Sequence, residues 1–443
     1  MLNKDNQVGE LKKELGLGTA VLAVMNTVIG SGIFFKVGSI LKLTKAPGLS
    51  IFSLFLAGII TMAGGLATAE LASCIPKTGG MVLWIKETMG DFLSFLCGWT
   101  FSVIGFPAII AALSIAFATQ CQSIFGFPLS YCPFIGSGAI GILTILNGME
   151  TKKAGSMGNI FTIAKLIPII LLISTALLKG RGNTENLFPF VVKGKSNLAG
   201  FGASLISCMY VYDGWMQASM MSGDLKHPKK DMPRALVIGI MSLMILFVFL
   251  LISYLLVFPM KDLVDFSHPV AQVSYALMGK KGVVLIGSGI MVSILGALSQ
   301  DIFIGARVLY AMGIEEQLPF SKHFASLDPK NSSPSFAMNM ISTLAIVYTL
   351  SGGYHFLTEI ATFSLWIFYS LTFVAVMILR RKNPKMKRPF SCPCYPYVPI
   401  FALLGGGFIL ASFLVQNLKT GLISFMMIGS GIPLYYYKKN RIS

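Results

Sequence analysis

Long apolar runs bounded by short polar stretches recur along the whole chain, at about 15–43, 48–75, 91–120, 131–149, 156–178, 199–223, 234–258, 282–313, 335–351, 355–380, 396–418 and 420–437. A bilayer crossing takes about 20 residues of helix. The pattern therefore predicts an all-α polytopic membrane protein with twelve transmembrane helices. Residues 92–149 contain no Asp, Glu, Lys or Arg. That stretch breaks at Phe125-Gly126-Phe127-Pro128, which makes it two helices.

Two segments are patterned against their own helix. The first places Gly30, Ser31 and Gly32 in succession at its middle, where each glycine costs about 1 kcal/mol relative to alanine. Backbone groups released at membrane depth need partners, so a break survives there only beside a cavity or a ligand. A helix that stops near Ile29 and restarts near Ser31 turns free carbonyls and free N–H groups toward one gap. Such a gap suits a zwitterion, with a carboxylate on the amides of Ser31 and Gly32 and an ammonium on the carbonyls. A small-residue packing face is the alternative reading of the same motif. The sixth segment repeats the irregularity with Tyr210-Val211-Tyr212-Asp213-Gly214-Trp215. Segments one and six occupy matching positions in two five-helix halves, and an odd number of crossings gives those halves opposite orientation. The spacing thus predicts a five-plus-five inverted repeat with helices 1 and 6 broken.

Charge adds orientation. The net charge is +17, with 35 Lys and Arg residues. These lie between apolar segments, so membrane orientation accounts for them and nucleic acid is not expected as a partner. With both termini inside, 22 basic residues fall in inner connections and 11, Lys36 among them, in outer ones. That bias puts the termini in the cytoplasm. The predicted organisation is a cytoplasmic N-terminus at 1–14, a first repeat at 15–178, a second at 199–380, two further helices at 396–437 and a cytoplasmic tail at 438–443. No cleavable signal peptide is expected, because the first apolar segment is long and lacks a small-residue cleavage site.

Two basic residues, Lys165 and Arg307, remain inside apolar segments. Lys165 lies nine residues past Ser156, about 14 Å into its helix. A lysine there costs about 2.5–3.5 kcal/mol and should face a cavity or a partner. It suits either a fixed cation occupying an ion site or a proton carrier, with snorkelling to the inner interface as the structural alternative. Asp301, about 18 Å from the cytoplasmic end of segment eight, is a possible partner. Arg307 is nearer the inner surface, where Glu70 is the expected counter-charge. Asp213 is open to two readings, its backbone serving the site while its side chain faces water. The four histidines lie in connections or at helix ends and do not form a relay. The seven cysteines form no metal pattern, and no GxSxG, HExxH or Walker loop is present. Neither an enzyme nor an ATP-driven pump is expected, and no metal or cofactor.

Gly30-Ser31-Gly32-Ile33-Phe34, Glu70-Leu71 with Pro76-Lys77-Thr78-Gly79-Gly80, Tyr212-Asp213-Gly214-Trp215, 227–235 (HPKKDMPRA) and Ala306-Arg307 with Leu318-Pro319 together resemble the amino acid/polyamine/organocation (APC) superfamily. Phe161-Thr162 with Lys165 is similar to its L-amino acid transporter (LAT) branch, and the short termini resemble bacterial members that exchange alanine, serine and cysteine. The resemblance implies the APC-type fold and sodium-independent exchange of amino acids across the plasma membrane. It implies that Ser31 and Gly32 bind the substrate carboxylate, that the carbonyls of Val28, Tyr210 and Asp213 take the ammonium, and that Tyr210 is the outer lid. It also implies that Lys165 bridges segments one and eight where sodium-coupled relatives hold an ion. Asp301 departs from the family pattern, which often has a small hydroxyl residue there. Cys121 and Cys132 flank the loop where animal members attach a heavy chain, but the loop is short and no heavy chain is expected. Tyr210 and Met216 are bulky and no partner for a charged side chain is evident, so small neutral L-amino acids fit the pocket. A proton-coupled symporter using Lys165 and a non-cycling amino acid sensor remain the alternatives.

Overall fold

The computed structural model describes residues 16–75, 80–149, 154–178, 183–192, 194, 198–219, 225–266, 269–328 and 333–442. The N-terminal segment 1–14, motif residues 76–79 and His268 lie outside these, as do the side chains of 149–164, including Phe161 and Thr162.

Every regular element among the described residues is helical. Segment one is three helices, α1 (Leu17–Val28), α2 (Gly32–Phe35) and α3 (Val37–Thr44). Then follow α4 (Pro47–Cys74), α5 (Met81–Met89) and α6 (Asp91–Trp99), the last joined through a π-helical turn, Thr100–Gly105, to α7 (Phe106–Phe125). After α8 (Cys132–Met149) and α9 (Ala154–Leu178), segment six is again broken, into α10 (Leu198–Tyr212) and α11 (Trp215–Ser219). The chain continues through α12 (Pro228–Val257), α13 (Met260–Asp265) and α14 (Pro269–Ile314), the last interrupted at Gly279. It ends with α15 (Ser321–Phe324), α16 (Ser335–Ser351), α17 (Tyr354–Lys382), α18 (Tyr397–Gln416), α19 (Leu418–Gly429) and α20 (Gly431–Ile442). Eight of the described spans are long and apolar enough to cross a membrane, and three shorter apolar helices accompany them. The protein is thus an all-helical, multi-pass membrane protein. Both predicted breaks are present, each within a few residues of its expected place.

Lipid is as apolar as leucine, so helices in a bilayer are held by close packing and interhelical hydrogen bonds, each of the latter about 0.6 kcal/mol. Two such sets are present. Hydroxyls and amides stitch α7, α8, α14 and α16 together: Ser114 Oγ to Thr349 Oγ1 at 3.0 Å, Thr144 Oγ1 to Ser342 Oγ at 2.7 Å, and a reciprocal pair between Asn147 and Ser299 at 2.9 Å. A second set joins α4 to α10, where Ser204 Oγ donates to Ser53 Oγ at 2.9 Å.

The ion pair of Glu70 differs from expectation. Glu70, in the last turns of α4, is not paired with Arg307. Arg380 grips it with both arms, Nε to Oε1 at 2.8 Å and Nη2 to Oε2 at 2.6 Å. The Cys392 amide adds a bond at 2.7 Å, and Arg388 Nε lies 3.3 Å away. The reason is packing. The end of α4 meets the end of α17 and the chain that follows it, whereas Arg307 on α14 is exposed with its guanidinium 4.1 Å above the Phe303 ring.

Candidate substrate-binding site

The break in segment one leaves residues 29–31 non-helical. Gly30 N donates to Val28 O, but the amides of Ser31, Gly32 and Ile33 have no backbone acceptor, as expected for the first residues of a helix. Ser31 and Gly32 line a cavity of about 30 Å³, room for a few waters at most. The cavity is bounded by Val28, Gly30, Ser31 and Gly32, and by Tyr210, Asp213 and Gly214 from the second break. Both broken segments therefore reach one space, as the sequence pattern required.

Close approach explains two of the glycines. A Cβ on Gly32 would lie 2.9 Å from Val211 Cα, so only glycine lets α2 pack against α10. Gly214 has φ of +112°, and a Cβ there would press on the Thr27 carbonyl, with Thr27 C at 2.6 Å. A side chain at 214 thus meets both backbone strain and a clash with unyielding main chain. Gly214→Ala is expected to leave helix content unchanged in circular dichroism and to abolish amino acid binding to the purified protein; native affinity in the variant would refute this account.

One end of the cavity is roofed by aromatic side chains. Ser31 Oγ lies 3.3 Å from Tyr210 Oη and 3.2 Å from Tyr354 Oη, and the two rings meet edge to face at 6.1 Å. Above them sits Lys36, assigned by sequence to an outer connection but in fact only 1% exposed. Its ammonium lies 5.7 Å from the Tyr210 ring centroid and 5.6 Å from that of Tyr354, a cation–π arrangement. A lysine inside an apolar run was the available signal.

Lys165 is fully buried and donates to the Asn26 carbonyl at 3.0 Å, in the last turn of α1. Asn26 Nδ2 in turn donates to Gln300 Oε1 at 2.6 Å, which extends the link to α14. Asp301, one residue on, lines the cavity, but no oxygen of it comes within ion-pair distance of Lys165 Nζ. Asp213 turns inward: its Oδ1 accepts from Tyr369 Oη at 2.8 Å, so the side chain does not face water as one reading held. Met216 is buried but does not line the cavity; its neighbour Gln217 does, with Thr27, Ile109, Leu113 and Ala297. On α11, only five residues long, successive side chains point about 100° apart, and sequence alone does not choose between them. Among the described residues no group of three His, Cys, Asp or Glu is placed to hold a metal. Cys121 and Cys132 are buried free thiols.

Paired helix breaks, unpartnered amides and a tyrosine roof make a site for binding and release rather than for bond chemistry. Comparison with known proteins agrees. A family model described as "Amino acid permease" matches residues 15–434. The chain is 35% identical over 432 residues to the serine/threonine exchanger SteT of Bacillus subtilis, covering 97% of this chain and 98% of that one. It is 26% identical to the mouse b(0,+)-type amino acid transporter 1, covering 97% of this chain and 89% of that one. For the mouse Asc-type amino acid transporter 1 the identity is 25%, with 96% and 81% covered. A membrane protein whose two helix breaks border one small cavity, and whose sequence matches the permease model over residues 15–434, belongs to the amino acid permease family of the APC superfamily.

Proposed function

We propose that the protein is a sodium-independent antiporter that exchanges small neutral L-amino acids, namely alanine, serine and cysteine, across the cell membrane by alternating access. The observation that carries the reading is the run of unpartnered amides at Ser31 and Gly32 facing the second break across the cavity. The α-carboxylate binds those amides. The ammonium binds the carbonyls of Val28, Tyr210 and Asp213, and Gly30 provides the turn that brings donors and acceptors to one ligand. Tyr210 is the outer gate. The size of the cavity and its walls of Ile109, Leu113 and Ala297 support a small side chain, and the serine/threonine exchanger named above handles amino acids of that size. Met216 backs the pocket from behind.

Lys165 is a fixed cation that replaces a coupling ion by tying α9 to the end of α1, with Asp301 supplying the nearby negative charge. Twelve crossings, with 15–178 and 199–380 as inverted repeats, 396–437 as two added helices, and 1–14 and 438–443 on the cytoplasmic side, complete the reading. The partners are the amino acids and the lipid bilayer. No heavy-chain subunit and no cofactor enter the mechanism.

Uptake of labelled alanine into proteoliposomes tests this. Uptake is expected only into vesicles loaded with unlabelled amino acid, unaffected by sodium or by a pH gradient. Acid-driven uptake into empty vesicles would replace the antiporter with a proton symporter, and binding with no uptake at all would make the protein a sensor.

A further inference from the structure

Gln217 carries an unused hydrogen-bond acceptor into the cavity. Its side chain is 2% exposed and lines the cavity wall, and Oε1 has no hydrogen-bond partner. The Gln217 amide lies near the carboxylate of Asp213, which accepts from Tyr369. An amide oxygen only accepts, so Oε1 is left for a donor that the surrounding side chains do not supply. Buried polar atoms are almost always paired, and of the orphaned side-chain atoms among the described residues Gln217 Oε1 is the one that belongs to a residue lining the cavity.

The rest of that wall offers little besides acceptors. Asp301 contributes a carboxylate, and the Thr27 hydroxyl is spent on the carbonyls of Ala23 and Val24 at 3.1 and 2.9 Å. Ile109, Leu113 and Ala297 bring no polar side-chain atoms. A ligand side chain ending in a methyl group would leave Gln217 Oε1 desolvated and unpaired; one ending in a hydroxyl would donate to it.

We propose that Gln217 is a specificity-determining residue whose Oε1 accepts a hydrogen bond from the substrate side-chain hydroxyl, so that the site prefers serine and threonine to alanine. The inference rests on the reading of this cavity as the amino acid site. A site built to pair a hydroxyl penalises the analogue that lacks it, here by about tenfold.

The test compares L-serine with L-alanine in the native protein and in Gln217→Met, which keeps length but lacks the acceptor. Both exchange in proteoliposomes and ligand-induced thermal stabilisation of the purified protein are measured. The expected result is about a tenfold preference for serine in the native protein that collapses to near unity in the variant, through loss of serine rather than of alanine. A native ratio near one, an unchanged ratio in the variant, or equal loss of both substrates would overturn the proposal. Should Gln217→Met and Gln217→Leu both fail to fold, the native ratio decides. If neither amino acid stabilises or exchanges in the native protein, the small neutral amino acid reading fails first and this proposal with it, a result distinct from any change in ratio.

Discussion

Glu70→Ala protein is expected to unfold at a markedly lower temperature than the native protein in detergent, with a loss of about 3–5 kcal/mol. The side chain of Glu70 is only 1% exposed, and it neutralises Arg380 and Arg388, at 21% and 15%. Removing the acid strands two largely buried guanidiniums and orphans the Cys392 amide. Breaking a buried pair costs more than the pair contributes, because the remaining charges stay desolvated. Glu70→Gln is expected to fall between the two, since its amide oxygen still accepts while its charge is gone. Thermal melts of the three purified proteins check this, and a native midpoint in Glu70→Ala would show that the arginines find water. Arg380 also stacks 3.7 Å over Tyr395, so the cluster fastens the chain after α17 to the end of α4.

Lys165→Met is expected to remain folded and to lower amino acid exchange by about 10- to 100-fold. Methionine fills nearly the same volume, but it cannot donate to the Asn26 carbonyl. A charged hydrogen bond of this kind contributes about 1.5–3 kcal/mol, and each 1.4 kcal/mol is a factor of ten. The carbonyl belongs to the last turn of α1, two residues before Val28, so the loss loosens one wall of the cavity. Initial exchange rates in serine-loaded proteoliposomes, with intact thermal unfolding as the control, measure the effect. Exchange at the native rate would deny Lys165 any part in holding α1.

Much of this was written in residue order. Gly30-Ser31-Gly32 and Asp213-Gly214 each marked a candidate break inside an apolar segment, with helix packing as the other reading of the first, and both breaks are present. The burial of Lys165 was legible too, because a lysine about 14 Å into an apolar segment reaches the interface with difficulty, and snorkelling, the other reading, is not what is found. What failed depended on which helices become neighbours. Glu70 was matched to Arg307 by depth alone, but its real partners lie more than 300 positions away, on and beyond α17, and depth carries no azimuth. Lys36 was counted as a loop residue because a membrane lysine is ordinarily a boundary marker; two tyrosines from separate segments shelter it. Met216 was placed in the pocket on its bulk, and Gln217, one residue on and about 100° further around the helix, lines the cavity instead.

The hydrogen-bond stitching between helices has a mechanical consequence. The frame of α7, α8, α14 and α16 is cross-tied at several levels, and α4 is tied to α10, so each set resists internal shear. Between α1 and the frame runs the Asn26 to Gln300 bond, and the Lys165 ammonium holds α1 from α9. Under load a solid yields along its least fastened plane. In the proposed exchange cycle the displacement that uncovers the cavity is the one that strains these ties of α1 to α9 and α14.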